Sequence, residues 1–134
     1  MKNWTYDELT NNGYKIENAK ITSVDLSMAD HGVMTLSLVL EGSGWGVVYG
    51  GYVIGKGYLG CDDNYIAGSA SGMESLIRIM LIIGVERFQD LKNKYVRVAS
   101  KGWGDSIKII GNVMKDQWFD IDSFFKDEKE NNNE

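Results

Sequence analysis

The side chains that most often carry catalysis are scarce in this chain. His31 is the sole histidine and Cys61 the sole cysteine. Sites that need two imidazoles are therefore excluded, and a Cys-His or Ser-His pair would have to recruit a histidine set in a turn between Asp30 and Gly32. Cys61 has no CxxC partner and reads as a small buried or loop residue. One cysteine permits no intrachain disulfide, which fits a reducing compartment. Gly55-Lys56-Gly57-Tyr58-Leu59-Gly60 matches GxGxxG, but it runs into Cys61-Asp62-Asp63-Asn64 instead of a helix whose N-terminus could receive a pyrophosphate. Gly46 to Gly51 has the spacing of a phosphate loop, with Tyr52 where the lysine should stand. Asp62 and Asp63 have the chemistry for a hard cation or an acid/base pair, yet adjacent side chains in a polar loop ordinarily face water. The chain thus reads as a binder and not as an enzyme, with no catalytic set, no metal site and no cofactor expected.

A second constellation suits recognition. Trp103 sits on a turn flanked by Gly102 and Gly104, Asn112 follows a strand, Lys115 and Asp116 come next, and Arg78 lies partway along a helical stretch. An indole can stack on a base for about 1–3 kcal/mol. An amide can read a base edge or a ribose hydroxyl, and a guanidinium can grip phosphate through two parallel bonds. These are the parts of a nucleotide pocket. The same pattern fits a tryptophan at a hairpin tip and an arginine on a solvated helix face.

The elements that must position these residues follow from periodicity. Residues 1 to 13 read as a polar arm in which Trp4, Tyr6 and Leu9 are the available docking points. Tyr14 to Met28 reads as a strand in which Val24, Leu26 and Met28 alternate with polar neighbours, Ala29-Asp30-His31-Gly32 turns, and Val33 to Glu41 returns with Met34, Leu36, Leu38 and Leu40 on one face. Val47 to Ile54 forms a third strand inside a segment rich in glycine and tyrosine. Ser71-Gly72-Met73-Glu74 has the form of a capping box opening a helix, along which Met73, Leu76, Ile77, Met80 and Leu81 make a core-facing stripe and Gly84 supplies the stop. Because Ile79, Ile82 and Ile83 are apolar as well, this helix is greasy on more than one side, which favours burial between subunits. Glu86 to Asn93 makes a short helical turn. Tyr95 to Ser100 and Ile107 to Gly111 form a second hairpin. Trp118, Phe119, Ile121, Phe124 and Phe125 form a terminal helix or turn covering the sheet. The expected fold is α+β: an antiparallel sheet of about five strands, one main helix and short C-terminal helical segments, in one oligomeric domain. Its ordered core spans about residues 14 to 125, and residues 126–134 form a disordered, charged tail.

Charge and hydropathy narrow the partners. The net charge of −5 opposes the basic footprint of a protein that binds duplex nucleic acid, while leaving room for a small anion neutralised locally. There is no apolar leader and no run of apolar residues long enough for a membrane span, so a cytoplasmic protein is expected.

The succession GMESLIRIMLIIGVERFQDLKNKYVRV, KGWG and IIGNVMKDQWF resembles a widespread group of small phage and prophage proteins, and in particular the first described Thoeris anti-defence sponge family. The resemblance runs from about Lys15 to Phe125. It implies a protein in the cytoplasm of the bacterial host that sequesters a cyclic ADP-ribose-type immune signal without cleaving it, with cyclic oligonucleotides as a further ligand class at a separate site. It also implies a homodimer or homohexamer with ligand pockets at subunit boundaries. In that pocket Trp103 takes the place of the base-stacking aromatic, Asn112 that of the asparagine and Arg78 that of one arginine. The family's second arginine, near the C-terminus, is absent here, where only Lys126 and Lys129 are at hand. Three rival readings remain. One is an acidic protein-binding inhibitor of a host defence system. The second is a small barrel for single-stranded nucleic acid, suggested by LKNKYVRV and opposed by the acidity. The third is an unrecognised enzyme, which would return its ligand chemically altered.

Overall fold

The computed structural model describes residues 1–102 and 104–132. Alternation of side chains between residues 15 and 56 produces the longest strands, β1 (Lys15–Asp30), β2 (Val33–Gly42) and β3 (Trp45–Lys56). The first hairpin closes through His31 and Gly32, both at positive φ (51° and 77°), the two-residue turn whose twist suits paired strands. Leu36, Leu38 and Leu40 on β2 are buried, as their spacing predicts. On β1 the buried residues are instead Ala19 and Ile21, while Leu26 and Met28 are exposed where the hairpin projects beyond the core.

β3 changes face midway. Its more buried positions are 47 and 49 before Gly50-Gly51, and 52 and 54 after them. The pairing with β2 slips at the same point, from Ser37 opposite Gly50 to Thr35 opposite Val53. One extra residue in a strand inverts the parity of everything beyond it. Glycine is required here: φ at Gly50 is +100°, and a Cβ there would lie 2.6 Å from the Leu36 carbonyl oxygen.

The remaining elements complete an α+β fold. Among the described residues the sheet holds seven strands in the order β4-β3-β2-β1-β5-β6-β7, adding β4 (Ala67–Gly68), β5 (Tyr95–Ser100), β6 (Ile109–Gly111) and β7 (Trp118–Asp120), and every pairing is antiparallel. The expectation of about five strands is corrected by the two- and three-residue strands β4 and β7, which are too short to show a period. Ile107 and Lys108 precede β6 and lie outside it.

α2 (Ala70–Ile83) begins two residues earlier than the expected capping box. Ser69 is the N-cap, its hydroxyl accepting from the Gly72 N–H, and Glu74 pairs with Arg78 instead of reaching back to the backbone. Gly84 ends the helix in the left-handed region as expected. The buried face of α2 comprises Gly72, Ser75 and Ile79, with Leu76 and Met80 partly covered. Met73, Ile77 and Leu81, expected to face the core, are 58%, 48% and 71% exposed. The correction has a physical cause. A helix apolar on two sides offers two candidate stripes, and Gly72 selects one by letting the helix backbone close on Ile54 of β3.

Both chain ends carry helices. The arm forms α1 (Tyr6–Asn11), capped by the Thr5 hydroxyl accepting from the Glu8 N–H. Leu9 is fully buried with Ala99, Ile109 and Trp118 on the sheet face opposite the main core, a burial that contributes about 1.5–3 kcal/mol. α3 (Ile121–Asn132) continues through most of the segment expected to be disordered. Its Phe124 joins the main core with Tyr49, Ile79, Ile110 and Phe119.

Candidate functional site

Arg78 lies half-buried on α2. Its Nε donates to Glu74 Oε2 at 3.0 Å, one helical turn back, and its guanidinium stands 5.6 Å from the centre of the Phe124 ring. These residues border a hollow of about 330 Å³ that Met1, Asp127, Glu128 and Glu130 complete. Four of the seven lining residues are carboxylates, and the Met1 ammonium is paired with Asp127. Within one chain the potential around Arg78 is therefore negative, which opposes a phosphate and favours a cationic group.

Asn112 occupies the mouth of the turn after β6. Its amide N–H donates to the Ile82 carbonyl in the last turn of α2 at 2.9 Å, and its Oδ1 accepts from the backbone N–H groups of Met114 and Lys115, each at 2.9 Å. The side chain thus closes its own turn and satisfies a helix-end carbonyl. Asp116 is committed in the same way: its Oδ1 accepts from the Tyr6 backbone N–H at 2.7 Å and from the Trp118 indole N–H at 2.6 Å. Lys115 offers its carbonyl inward and is itself exposed.

The residue that gathers this cluster is one the sequence analysis passed over. Arg97, on β5, donates from Nε to the Asn112 carbonyl at 2.7 Å and from Nη2 to the Lys115 carbonyl at 2.8 Å. Its guanidinium lies 4.6 Å from the Trp118 ring centre and 5.8 Å from that of Tyr6. The available signal was its position: a lone arginine between Val96 and Val98, on a strand whose other face is core.

The structure therefore brings Asn112, Lys115 and Asp116 together around Arg97, and sets Arg78 in a separate hollow against α3. Trp103, the expected stacking residue, lies outside the described residues. On either side of it, the Lys101 N–H donates to Asp105 Oδ2 at 3.0 Å.

A second hollow, of about 190 Å³, lies between β3 and the segment entering β6. Val48, Gly50, Gly51 and Tyr52 line one side, and Ser106, Ile107, Lys108 and Ile121 the other. Asp122 organises its rim. It accepts from Tyr52 at 2.8 Å and pairs with Lys126 at 3.0 Å and Lys108 at 3.7 Å. The hydrogen bonds from Lys126 and then Tyr52 hold its carboxyl below the usual carboxylate range. Burial, reinforced by Asp122, pushes the Tyr52 phenol well up, and its ring stacks on Phe125 at 4.6 Å.

Among the described residues no group of three or more His, Cys, Asp or Glu side chains is placed to hold a metal ion, and no helix is long and apolar enough to cross a membrane. Comparison with protein-family models, curated proteins and solved structures finds no match to this chain in any of the three.

Proposed function

We propose that this chain acts by binding, as an assembly of identical copies, and that it sequesters a small phosphorylated signal of the cyclic ADP-ribose type at a boundary between subunits without cleaving it. The observation that carries the reading is the α2 ridge. Met73, Ile77 and Leu81 recur at the spacing of one helical turn and are largely exposed, with Arg78 beside them. Such a ridge is an association surface. A neighbour seated on it would cover the hollow at Arg78 and could supply the cations that a single chain lacks there. The commitment of the Asn112 side chain to its own turn favours a supporting role, leaving ligand contact to Arg78 and Trp103. The motif resemblance points to the same ligand class.

The test combines light scattering with titration. The purified protein is expected to have the mass of a dimer or larger, and cyclic ADP-ribose should change its tryptophan fluorescence and be recovered intact after heating. Ile77→Lys should lower the mass and weaken binding together. A monomer whose fluorescence ignores the nucleotide overturns the proposal.

One observation favours a second reading. The same ridge borders a hollow with four carboxylates, a surface suited to a basic protein partner. Co-purification of a host protein that Glu128→Lys abolishes, with nucleotides inert, would select the inhibitor reading.

A further inference from the structure

β3 forms one edge of the sheet, and β4 covers it only at Gly55 and Lys56. Ser43 and Gly44 join Gly42 to Trp45 in a two-residue turn, which makes those flanking residues a mutually hydrogen-bonded pair. Hydrogen-bonded pairs then recur at Val47 and Tyr49, so Gly46 and Val48 turn both N–H and C=O away from β2. Among the described residues no backbone partner meets them. The hollow of about 190 Å³ beside Val48 separates this edge from Ser106, Ile107 and Lys108.

Natural edges are usually blunted by lysine, proline or a covering element. Trp45–Ile54 contains no charged residue and no proline, and Val48 is 64% exposed. Besides β4 at its far end, the bulge at Gly50-Gly51 protects this edge, and it limits regular pairing to the stretch before it.

We propose that Trp45–Tyr49 of β3 pairs antiparallel with the same stretch of a second copy. With Val47 on the two-fold axis, Gly46 of each chain stands opposite Val48 of the other. Each such pair exchanges two N–H to carbonyl bonds, giving four in all. The stretch is its own complement: donors and acceptors match, no charge repels its twin, and two-fold pairing closes instead of propagating. This interface is separate from the α2 ridge and stands or falls independently of the proposed function.

Residue-resolved amide exchange across a concentration series, with sedimentation, tests it. The Gly46 and Val48 amides are expected to slow about tenfold or more as concentration rises, and to quicken on dilution. Val48→Pro removes an N–H that β2 does not use, so the ladder to β2 survives while the sedimenting mass halves. Val48→Lys, which keeps the N–H and brings like charges together, gives the same result. Ile77→Lys leaves the protection of Gly46 and Val48 in place. The proposal is overturned if both amides exchange freely at every concentration, if both Val48 variants keep the parent mass, or if protection appears only when another protein is added.

Discussion

Asn112 shows why an amide after a strand is an ambiguous signal. Its residue type and position suit a ribose or a base, but among the described residues its side chain bonds only backbone groups of the same chain. Asn112→Ala would leave the Ile82 carbonyl and two N–H groups without their partner, so stability should fall by about 1–3 kcal/mol. Urea denaturation measures this, and a nucleotide affinity that changes little in the folded variant would mark the role as structural. Tyrosine chemistry supplies a second prediction. Burial raises Tyr49 well above the usual phenol value near 10, with lesser help from Asp120, and Tyr52 and Tyr14 are raised as well. A phenol whose folded value is raised releases its proton more readily in the unfolded chain. The stability it confers is therefore complete below the unfolded value and lost as pH rises through and beyond it. Absorbance at the tyrosinate band should show Tyr49 ionising only with cooperative alkaline unfolding. Asp122 acts at the other end of the scale: its lowered value adds stability above the ordinary carboxylate range that disappears as acid protonates it.

The elements were legible wherever one face was buried and the other wet. The β1–β2 hairpin and the Leu36-Leu38-Leu40 stripe followed from period two, and β5 was placed residue for residue. α2 was found, but not its orientation, because Met73, Leu76, Ile77, Ile79, Met80 and Leu81 support two overlapping stripes. The deciding residue is Gly72, whose meaning lies in a contact the sequence cannot display. An added Cβ would fall 2.5 Å from the Ile54 Cβ and 2.8 Å from its Cα. Helix propensity alone favours alanine there by about 1 kcal/mol. Overpacking typically costs about 1–3 kcal/mol and here meets backbone as well as side chain. Gly72→Ala is therefore expected to destabilise by about 1–2 kcal/mol, measured by chemical denaturation. The arm is polar by composition, and Leu9, one of its three candidate docking points, anchors it with Trp4 beside it.

At the scale of the whole molecule, the candidate site was legible as an inventory of residues and not as an arrangement. Lys115, Asp116 and Asn112 meet around Arg97, and Arg78 faces carboxylates that are distant in sequence, a relation that only the packing of α3 on α2 creates. That packing also ties the beginning of the chain to its end. The Lys2 N–H donates to Ser123, the Trp4 indole to Asp120, and the Met1 ammonium pairs with Asp127. With Met1 beside Asp127 and α3 running on to Asn132, a short glycine-serine link should permit a rearranged gene whose product starts at Gly32 and finishes at His31, an exposed residue in the turn of the first hairpin. Such a rewired polypeptide should melt cooperatively within a few degrees of the parent, and it would free the α1 end of the molecule from ever having to bear an affinity tag.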